Sequence, residues 1–328
     1  MKQILQYLFN HNTLSKAEAK AILTEIAQNK FNENEVTAFV TVFLMRSITL
    51  NEMAGFQEAL LRLSVPVDLG THDLVDIVGT GGDGKDTFNI STLASFVVAG
   101  TGQKVAKHGN YGVSTISGSS NVLEELGYEF KTTSEELQSD LEKGNICFLH
   151  APLFHPALSS VAPLRRGLGL RTFFNILGPL VNPAKPKHSM IGVYSLEIAR
   201  IYQYLLQKKN ENFLIVHALD GYDEISLTSD TKIFDKSGEY IFSPEELGFK
   251  NIAPETIFGG NSKQEAAAIF RNILEGKGTF EQNSVVLANA AMALKNTGKY
   301  GNYKECVTLA TESLKSGNAL KSLTSIIK

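Results

Sequence analysis

The chain has 328 residues, 43% hydrophobic and 20% charged, an ordinary globular balance with room for about two domains. Its 31 Lys and Arg against 34 Asp and Glu leave a formal net charge of −3, so no bulk attraction to nucleic acid or anionic lipid is expected, and an anion site must be a local arrangement of lysines, amides and metal. The two cysteines are far apart, no apolar run approaches the roughly 18 residues of a membrane span, and "MKQILQYLFNHNTLSK" lacks a leader's apolar core, so a cytoplasmic, reduced chain with no membrane or nucleic-acid partner is expected.

Residues 1 to 66 read as helices alone. Ser15 and Glu18 form a capping-box pattern before "AKAILTEIA", "EVTAFVTVFLMR" follows, and Thr49 with Glu52 opens a further box. In that last helix Met53, Phe56, Leu60 and Leu63 recur at helical spacing, the pattern of a packing stripe rather than of a ligand site. Helices this short bury little by themselves and need a partner.

From Asp73 the texture changes to short β-branched runs, each followed by a polar loop and then a helix. "LVDIVGT", "QKVAKHG", "NICFLHA", "HSMIGVY" and "NFLIVHAL" predict strands, and their alternation with helices predicts a mostly parallel sheet. The polar clusters "GTGGDGKD", "KHGN", "HAPLFHP" and "DGYDE" follow strands directly, and such sheets bind ligands beyond the carboxyl ends of their strands. Four loops are therefore expected to converge. The segment 159–188 breaks the alternation and is expected to rejoin the helical part, 228–262 reads as a looser excursion, and the chain returns to helices at "SKQEAAAIFRNILEG" and "NSVVLANAAMALKN".

"GTGGDGKD", residues 79 to 86, fits two nucleotide patterns at once: Gly79-x-Gly81-x-x-Gly84 and Gly79-x4-Gly84-Lys85. A phosphate loop needs a hydroxyl after the lysine, and Asp86 stands there. A dinucleotide fold needs an acid at the end of the second strand, which instead ends in Lys107 and His108. What remains is a glycine loop able to approach a ligand closely, followed by "TFNIST", where Asn89 is placed to cap a helix whose first turn is Ile90, Ser91 and Thr92. A helix start lined with hydroxyls is an anion site, the plain alternative being a glycine turn before an ordinary capped helix. Asp83 within the loop points to a metal or a ribose hydroxyl as well. A second helix start follows Lys107, where the serines of "SGSSNVLEELG" are placed to cap after the loop "HGNYGVST". Ser91 and Lys107 thus sit at different anion sites, suggesting two phosphate groups. Asp223 beside Glu224 in "DGYDEIS" supplies a hard-oxygen pair suited to magnesium bridging phosphates.

"DIVGTGGDGKDTFNIST", "KVAKHGN", "SGSSNVLEELG" and "RRGLGLRTFFNILGPLVNP", dense between Leu74 and Tyr194, and "DGYDEIS" beyond them, resemble the anthranilate phosphoribosyltransferase family of tryptophan biosynthesis. The resemblance implies an α/β fold of the nucleoside phosphorylase and phosphoribosyltransferase type: a small all-helical domain, 1–70 joined by about 160–186, and a larger α/β domain, 71–159 and 187–328, with a mostly parallel central sheet. It also implies homodimers formed through the helical part. Gly79, Gly82, Asp83, Thr87, Asn89, Ile90, Ser91, Thr92, Lys107 and Ser119 would bind phosphoribosyl pyrophosphate, and Ser91, Asp223 and Glu224 would bind Mg²⁺. Gly79, His108, Asn110 and Arg165 would face anthranilate, with Lys107 and His108 as the catalytic candidates.

Arg165 is favoured among the arginines of "PLRRGLGLR" because, if 164–172 continue a helix, it shares a face with Gly169. Two departures stand out: Tyr111 replaces the arginine common after Lys-His-Gly-Asn, and Asn121 replaces an aspartate. The first is expected to weaken or reroute a phosphate contact. A pyrimidine nucleoside phosphorylase, the nearest rival, needs neither the Asp223–Glu224 pair nor Arg165, and a non-enzymatic nucleic-acid binder conflicts with the acidic net charge.

Overall fold

The structure, a computed structural model, describes residues 1–112, 117–159, 161–208 and 211–327, with Arg166 described by its backbone alone. In chain order the elements are α1 (Lys2–Phe9), α2 (Lys16–Ala27), α3 (Glu33–Met45), α4 (Leu50–Leu63), β1 (Val75–Gly79), α5 (Ile90–Gly100), β2 (Val105–Gly109), α6 (Ser119–Glu125), α7 (Ser134–Gly144), β3 (Ile146–His150), α8 (Ala151–Phe154) and α9 (Ala162–Leu168). They continue as β4 (His188–Gly192), α10 (Leu196–Leu206), β5 (Asn212–Ala218), β6 (Thr231–Phe234), β7 (Glu239–Phe242), α11 (Lys263–Leu274), α12 (Phe280–Thr297), α13 (Tyr303–Lys315) and α14 (Asn318–Thr324). The chain falls into two compact units, Met1–Pro66 with Ala151–Pro183, and Val67–His150 with Ala184–Lys328.

In the helical unit, Ser15 with Glu18, Asn32 with Glu35 and Thr49 with Glu52 form reciprocal caps that satisfy the amides a helix start leaves open. Glu52 is fully buried and also takes Arg46 Nη2 at 2.6 Å and the Leu14 amide at 3.0 Å. Burial pushes its pKa up, but the bonds from Arg46, Leu14 and Thr49 outweigh burial and hold it below the ordinary carboxylate range. Phe39, Phe43, Phe56 and Phe173 pack ring against ring, the closest pair being Phe56 stacked on Phe173 at 4.6 Å between centroids. Met53 and Leu60 of the expected stripe are buried beside Phe56 in the same core.

The α/β unit is built on one seven-stranded sheet in the order β3-β2-β1-β4-β5-β6-β7. The five expected strands are β1 to β5, paired parallel. The stretch read as a looser excursion instead supplies β6 and β7, which extend the sheet antiparallel. Its hairpin is closed by Asp235, whose Oδ1 accepts the amides of Ser237 and Gly238 at 2.7 and 3.0 Å. That Asx turn is the signal overlooked between "TKIF" and "EYIF". The core helix is α5, apolar but for Ser95 from Leu93 to Ala99 and buried throughout that stretch, packed against α12, α13 and α14.

The strand order locates the site. Successive strands run from β1 to β2 and β3 on one side and from β4 to β5 on the other, so the order reverses between β1 and β4. Connections leaving in opposite directions open a crevice at the carboxyl ends of those two strands. Among the described residues no helix is long and apolar enough to cross a membrane.

Candidate active site

The last residues of β1 and β4, Gly79 and Gly192, are register partners across the sheet. A Cβ on Gly79 would strike the Asp223 carboxylate, and one on Gly192 would strike the Asp223 carbonyl. Two missing side chains therefore let the loop after β5 lie across the strand ends. Asp223 is fixed there by the Gly81 amide, 2.7 Å from its Oδ2, while the Thr80 amide donates to Gly192 O at 2.9 Å. Gly81, Gly82 and Gly84 all take φ between 62° and 74°, a region that penalises any Cβ, and the resulting turn points Asp83 inward.

Asp83, Asp223 and Glu224 each bring a carboxylate oxygen within 4.8 Å of the other two. Burial first, and then the Asp223 charge, push Asp83 up to about 7. Burial raises Asp223, and burial with the charges of Asp223 and Asp83 drives Glu224 well above the carboxylate range. Glu224 Oε2 is a buried oxygen with no hydrogen-bond partner among the described residues. Three carboxylates raised together, Asp223 buried and Asp83 and Glu224 half-buried, with an acceptor oxygen to spare, fit a hard divalent cation such as Mg²⁺.

Helix α5 starts at this cluster. Asn89 occupies its N-cap position, but its side chain does not cap: with φ −71° and ψ 67° the backbone is not extended, and Nδ2 donates to Ser117 O at 3.0 Å instead. Of the first-turn amides, Ile90 N–H donates to Phe88 O at 2.6 Å and Ser91 N–H reaches the Glu224 carboxylate. Ile90 and Thr92 are buried, and Thr87 bridges to Phe258.

Lys107, buried in β2, donates to Ile77 O, and its Nζ lies 3.5 Å from Ser91 Oγ. Ser91 and Lys107 thus belong to one site, not two. Sequence spacing separated them, but adjacent parallel strands bring the end of β2 to the start of the helix that follows β1. Burial lowers the Lys107 pKa to about 8, opposed by Asp76, Glu224 and Asp223, so a cation is kept where the carboxylates need one.

The start of α6 also differs from expectation. Gly118, not a serine, holds the N-cap position. Asn121 Oδ1 accepts the amides of both Gly112 and Gly118 at 3.0 Å, joining the ends of the loop, a task that needs an acceptor oxygen and no charge. Ser119 Oγ donates to Asn110 O at 3.2 Å, and Ser120 Oγ bonds His150 Nδ1 at 2.8 Å. Tyr111 turns aside, its hydroxyl donating to Glu124 at 2.6 Å and its ring edge meeting His150. Val113, Ser114 and Thr115 of the expected phosphate loop lie outside the described residues. His108 is buried, with its amide on Asp76 Oδ1 at 3.2 Å.

The fourth expected loop, "HAPLFHP", is divided between the two units after His150. It becomes α8 of the helical unit, where His155 is buried against Val181 O at 2.9 Å, while His150 stays in the α/β unit stacked on Phe130. Arg165 lies in the helical unit, partly buried over the Phe174 ring at 5.7 Å, and burial lowers its pKa. Helix α9 does not continue to 172: it stops at Leu168, because Gly169 takes the left-handed cap at φ 60° with its amide on Arg165 O. The side chain of Arg166 lies outside the described residues. Sequence reasoning missed Gly192, and although it read Asp83 as a sign of a metal or a ribose hydroxyl, it did not join Asp83 to Asp223 and Glu224 in one cluster.

The sequence matches two family models: the glycosyl transferase family a/b domain over residues 71–320 and its helical bundle domain over residues 2–64. It is 54% identical over 323 residues to the anthranilate phosphoribosyltransferase of Flavobacterium johnsoniae, covering 98% of each chain. The chain belongs to the anthranilate phosphoribosyltransferase family. Among solved members of that family, the Thermus thermophilus enzyme superposes with a TM-score of 0.90 at 34% identity, covering 98% of this chain and 97% of that one. The Saccharomyces cerevisiae enzyme in complex with phosphoribosyl pyrophosphate and Mg superposes with a TM-score of 0.88 at 30% identity, covering 96% and 93%.

Proposed function

We infer that the chain transfers the 5-phosphoribosyl group from phosphoribosyl pyrophosphate to the amine of anthranilate, giving N-(5-phosphoribosyl)anthranilate and pyrophosphate, in tryptophan biosynthesis. The observation that carries this reading is the carboxylate cluster of Asp83, Asp223 and Glu224, set against Lys107 and a helix start without a side-chain cap at the switch point of the sheet. Membership of a family whose curated relative is about half identical along its whole length supports it.

Displacing pyrophosphate from the anomeric carbon develops negative charge on the leaving group and oxocarbenium character on the ribose. Gly79, Gly82, Asp83, Thr87, Asn89, Ile90, Ser91, Thr92, Lys107 and Ser119 are assigned to the phosphoribosyl pyrophosphate pocket. We assign the glycine loop and the start of α5 to the pyrophosphate oxygens, with Lys107 supplying positive charge beside Ser91. Asp223, Glu224 and Ser91 are assigned to Mg²⁺, with Asp83 beside them, and there the ion would supply positive charge against the departing pyrophosphate. The attacking aniline nitrogen is neutral at pH 7, so no base is needed before attack, and we assign His108 to accept the proton released afterwards. We assign Arg165 to the anthranilate carboxylate through its forked donors, and Gly79, His108 and Asn110 to anthranilate as well. We assign the protein to the cytoplasm and to a homodimer formed through the helical unit.

Mixing the protein with anthranilate, phosphoribosyl pyrophosphate and Mg²⁺ should extinguish anthranilate fluorescence as product forms. Undiminished fluorescence with correctly folded protein refutes the reading.

A further inference from the structure

The loop after β1 carries three glycines of positive φ, so its path is weakly specified by its own backbone. Yet Asp83 must stay with Asp223 and Glu224, two groups that repel it. The Gly81 amide on Asp223 fixes the first half of the loop. The second half is held at Lys85. Its amide donates to Asp83 Oδ1 at 3.0 Å, and its Nζ stands 4.5 Å from the centroid of the Tyr222 ring. Tyr222 is buried in the core of the α/β unit and immediately precedes Asp223, with its carbonyl accepting the Ala218 amide at 3.1 Å. The ring is therefore a rigid platform joined to the carboxylate loop by one peptide bond.

Among the described ion pairs none includes Lys85. A lysine two residues from Asp83 would ordinarily be expected to pair with a carboxylate, but that would occupy an oxygen of the cluster. On the face of an aromatic ring its charge is stabilised and remains nearby without the ammonium taking an oxygen of the cluster. Resting on the reading of the cluster as the seat of metal and pyrophosphate, we propose that Lys85 and Tyr222 form a positioning clasp that ties the glycine loop to the carboxylate loop and holds Asp83 in register with Asp223 and Glu224.

The clasp is tested with Lys85→Met, Lys85→Arg, Tyr222→Leu and the Lys85→Met/Tyr222→Leu double variant. Two readings are taken: Mn²⁺ binding in the presence of inorganic pyrophosphate, followed by electron paramagnetic resonance, and steady-state constants for both substrates. Lys85→Met should weaken Mn²⁺ binding and raise the Michaelis constant for phosphoribosyl pyrophosphate, each by about three- to tenfold, and leave that for anthranilate unchanged. Lys85→Arg, which can lie on the same ring, should stay within about twofold of wild type. In the Tyr222→Leu background, Lys85→Met should add less than about twofold. Full additivity would mean that Lys85 acts on the ligand independently of the ring, and it overturns the clasp, as does failure of Lys85→Arg to rescue or an equal shift in the anthranilate constant. Lys85 is partly exposed, so its variants decide the matter even if Tyr222→Leu opens the core too far to fold. Should wild type neither bind Mn²⁺ nor require Mg²⁺, the underlying reading of the cluster fails; a metal-dependent wild type indistinguishable from Lys85→Met sinks only the clasp.

Discussion

The two edges of the same sheet treat the same residue type in opposite ways. At the amino-terminal edge, Asp73 receives His188 Nε2 at 2.8 Å and Lys299 Nζ at 2.8 Å, with Lys187 at 3.5 Å. Burial pushes the Asp73 carboxyl up, but Lys299 and His188 outweigh it and hold it at about 2. Lys299 and Tyr300 also meet at Gln103 Oε1, so charges and dipoles are matched within the fold. At the carboxyl-terminal edge, Asp83 is pushed up to about 7 beside two further acids, with Lys107 as the buried cation near them. One edge is electrostatically complete, and the other needs a partner from outside. An imbalance maintained against the cost of burial marks a binding site, whereas matched charges are the ordinary means of joining elements.

The comparison breaks most visibly if the incomplete edge proves dispensable. Asp223→Asn with Glu224→Gln should lower the efficiency of turnover by about a thousandfold or more while leaving thermal stability unchanged or raised, because the substitutions relieve like-charge repulsion. Near wild-type activity, or a collapse in melting temperature, contradicts that account. Lys107→Ala should reduce the efficiency with phosphoribosyl pyrophosphate by roughly ten- to two-hundredfold, the cost of a lost charge-assisted contact, with the effect confined to that substrate. Kinetics in which only the anthranilate constant moves would misplace Lys107.

Arg165→Ala should raise the anthranilate Michaelis constant by about tenfold and spare that of phosphoribosyl pyrophosphate, and Arg166→Ala should do neither. A larger anthranilate defect in Arg166→Ala reverses the assignment. The complete edge sharpens the contrast from the other side, since Asp73→Asn should leave turnover unaltered and cost about 1–2 kcal/mol of stability at pH 7, discounted for the partial exposure of the pair. Because the folded pKa lies below the unfolded one, that contribution is fully present above about pH 4 and disappears as pH falls through about 2. Melting curves of wild type and Asp73→Asn should therefore converge in acid, and a constant gap would show that the ion pairs are not its source.

How much of this was legible depends on whether local chemistry or long-range geometry decides. Caps such as Thr49 with Glu52, and strands such as "NFLIVHAL", follow from neighbours in sequence and could be read directly. The hairpin of β6 and β7 could not be weighed properly, because its four-residue strands are short and β7 is largely exposed, leaving a weak apolar pattern. Asn89 carried the right residue type for a cap, yet a carbonyl 28 positions away claimed its amide. Ser91 and Lys107 were separable in sequence and adjacent in space, as only the pairing of β1 with β2 makes evident. Gly192 looked like the end of a strand, and its bearing on Asp223 emerges only when the loop after β5 is laid over it.

The glycine pair at the ends of β1 and β4 has a consequence for how this sequence can drift. A carboxylate can be exchanged for an amide and exchanged back, each step leaving the backbone where it was. Gly79 and Gly192 permit no such excursion, since the volume an alanine methyl would take is already filled by Asp223 itself. A replacement at Gly192 would require the loop after β5 to retreat, and one at Gly79 would turn the Asp223 carboxylate aside, so either disturbs the placement of Asp223 beside Asp83. The order of changes is thereby constrained: any lineage leaving this chemistry can lose its acids before its glycines, but one that lost the glycines first would have lost the placement of the acids in the same step.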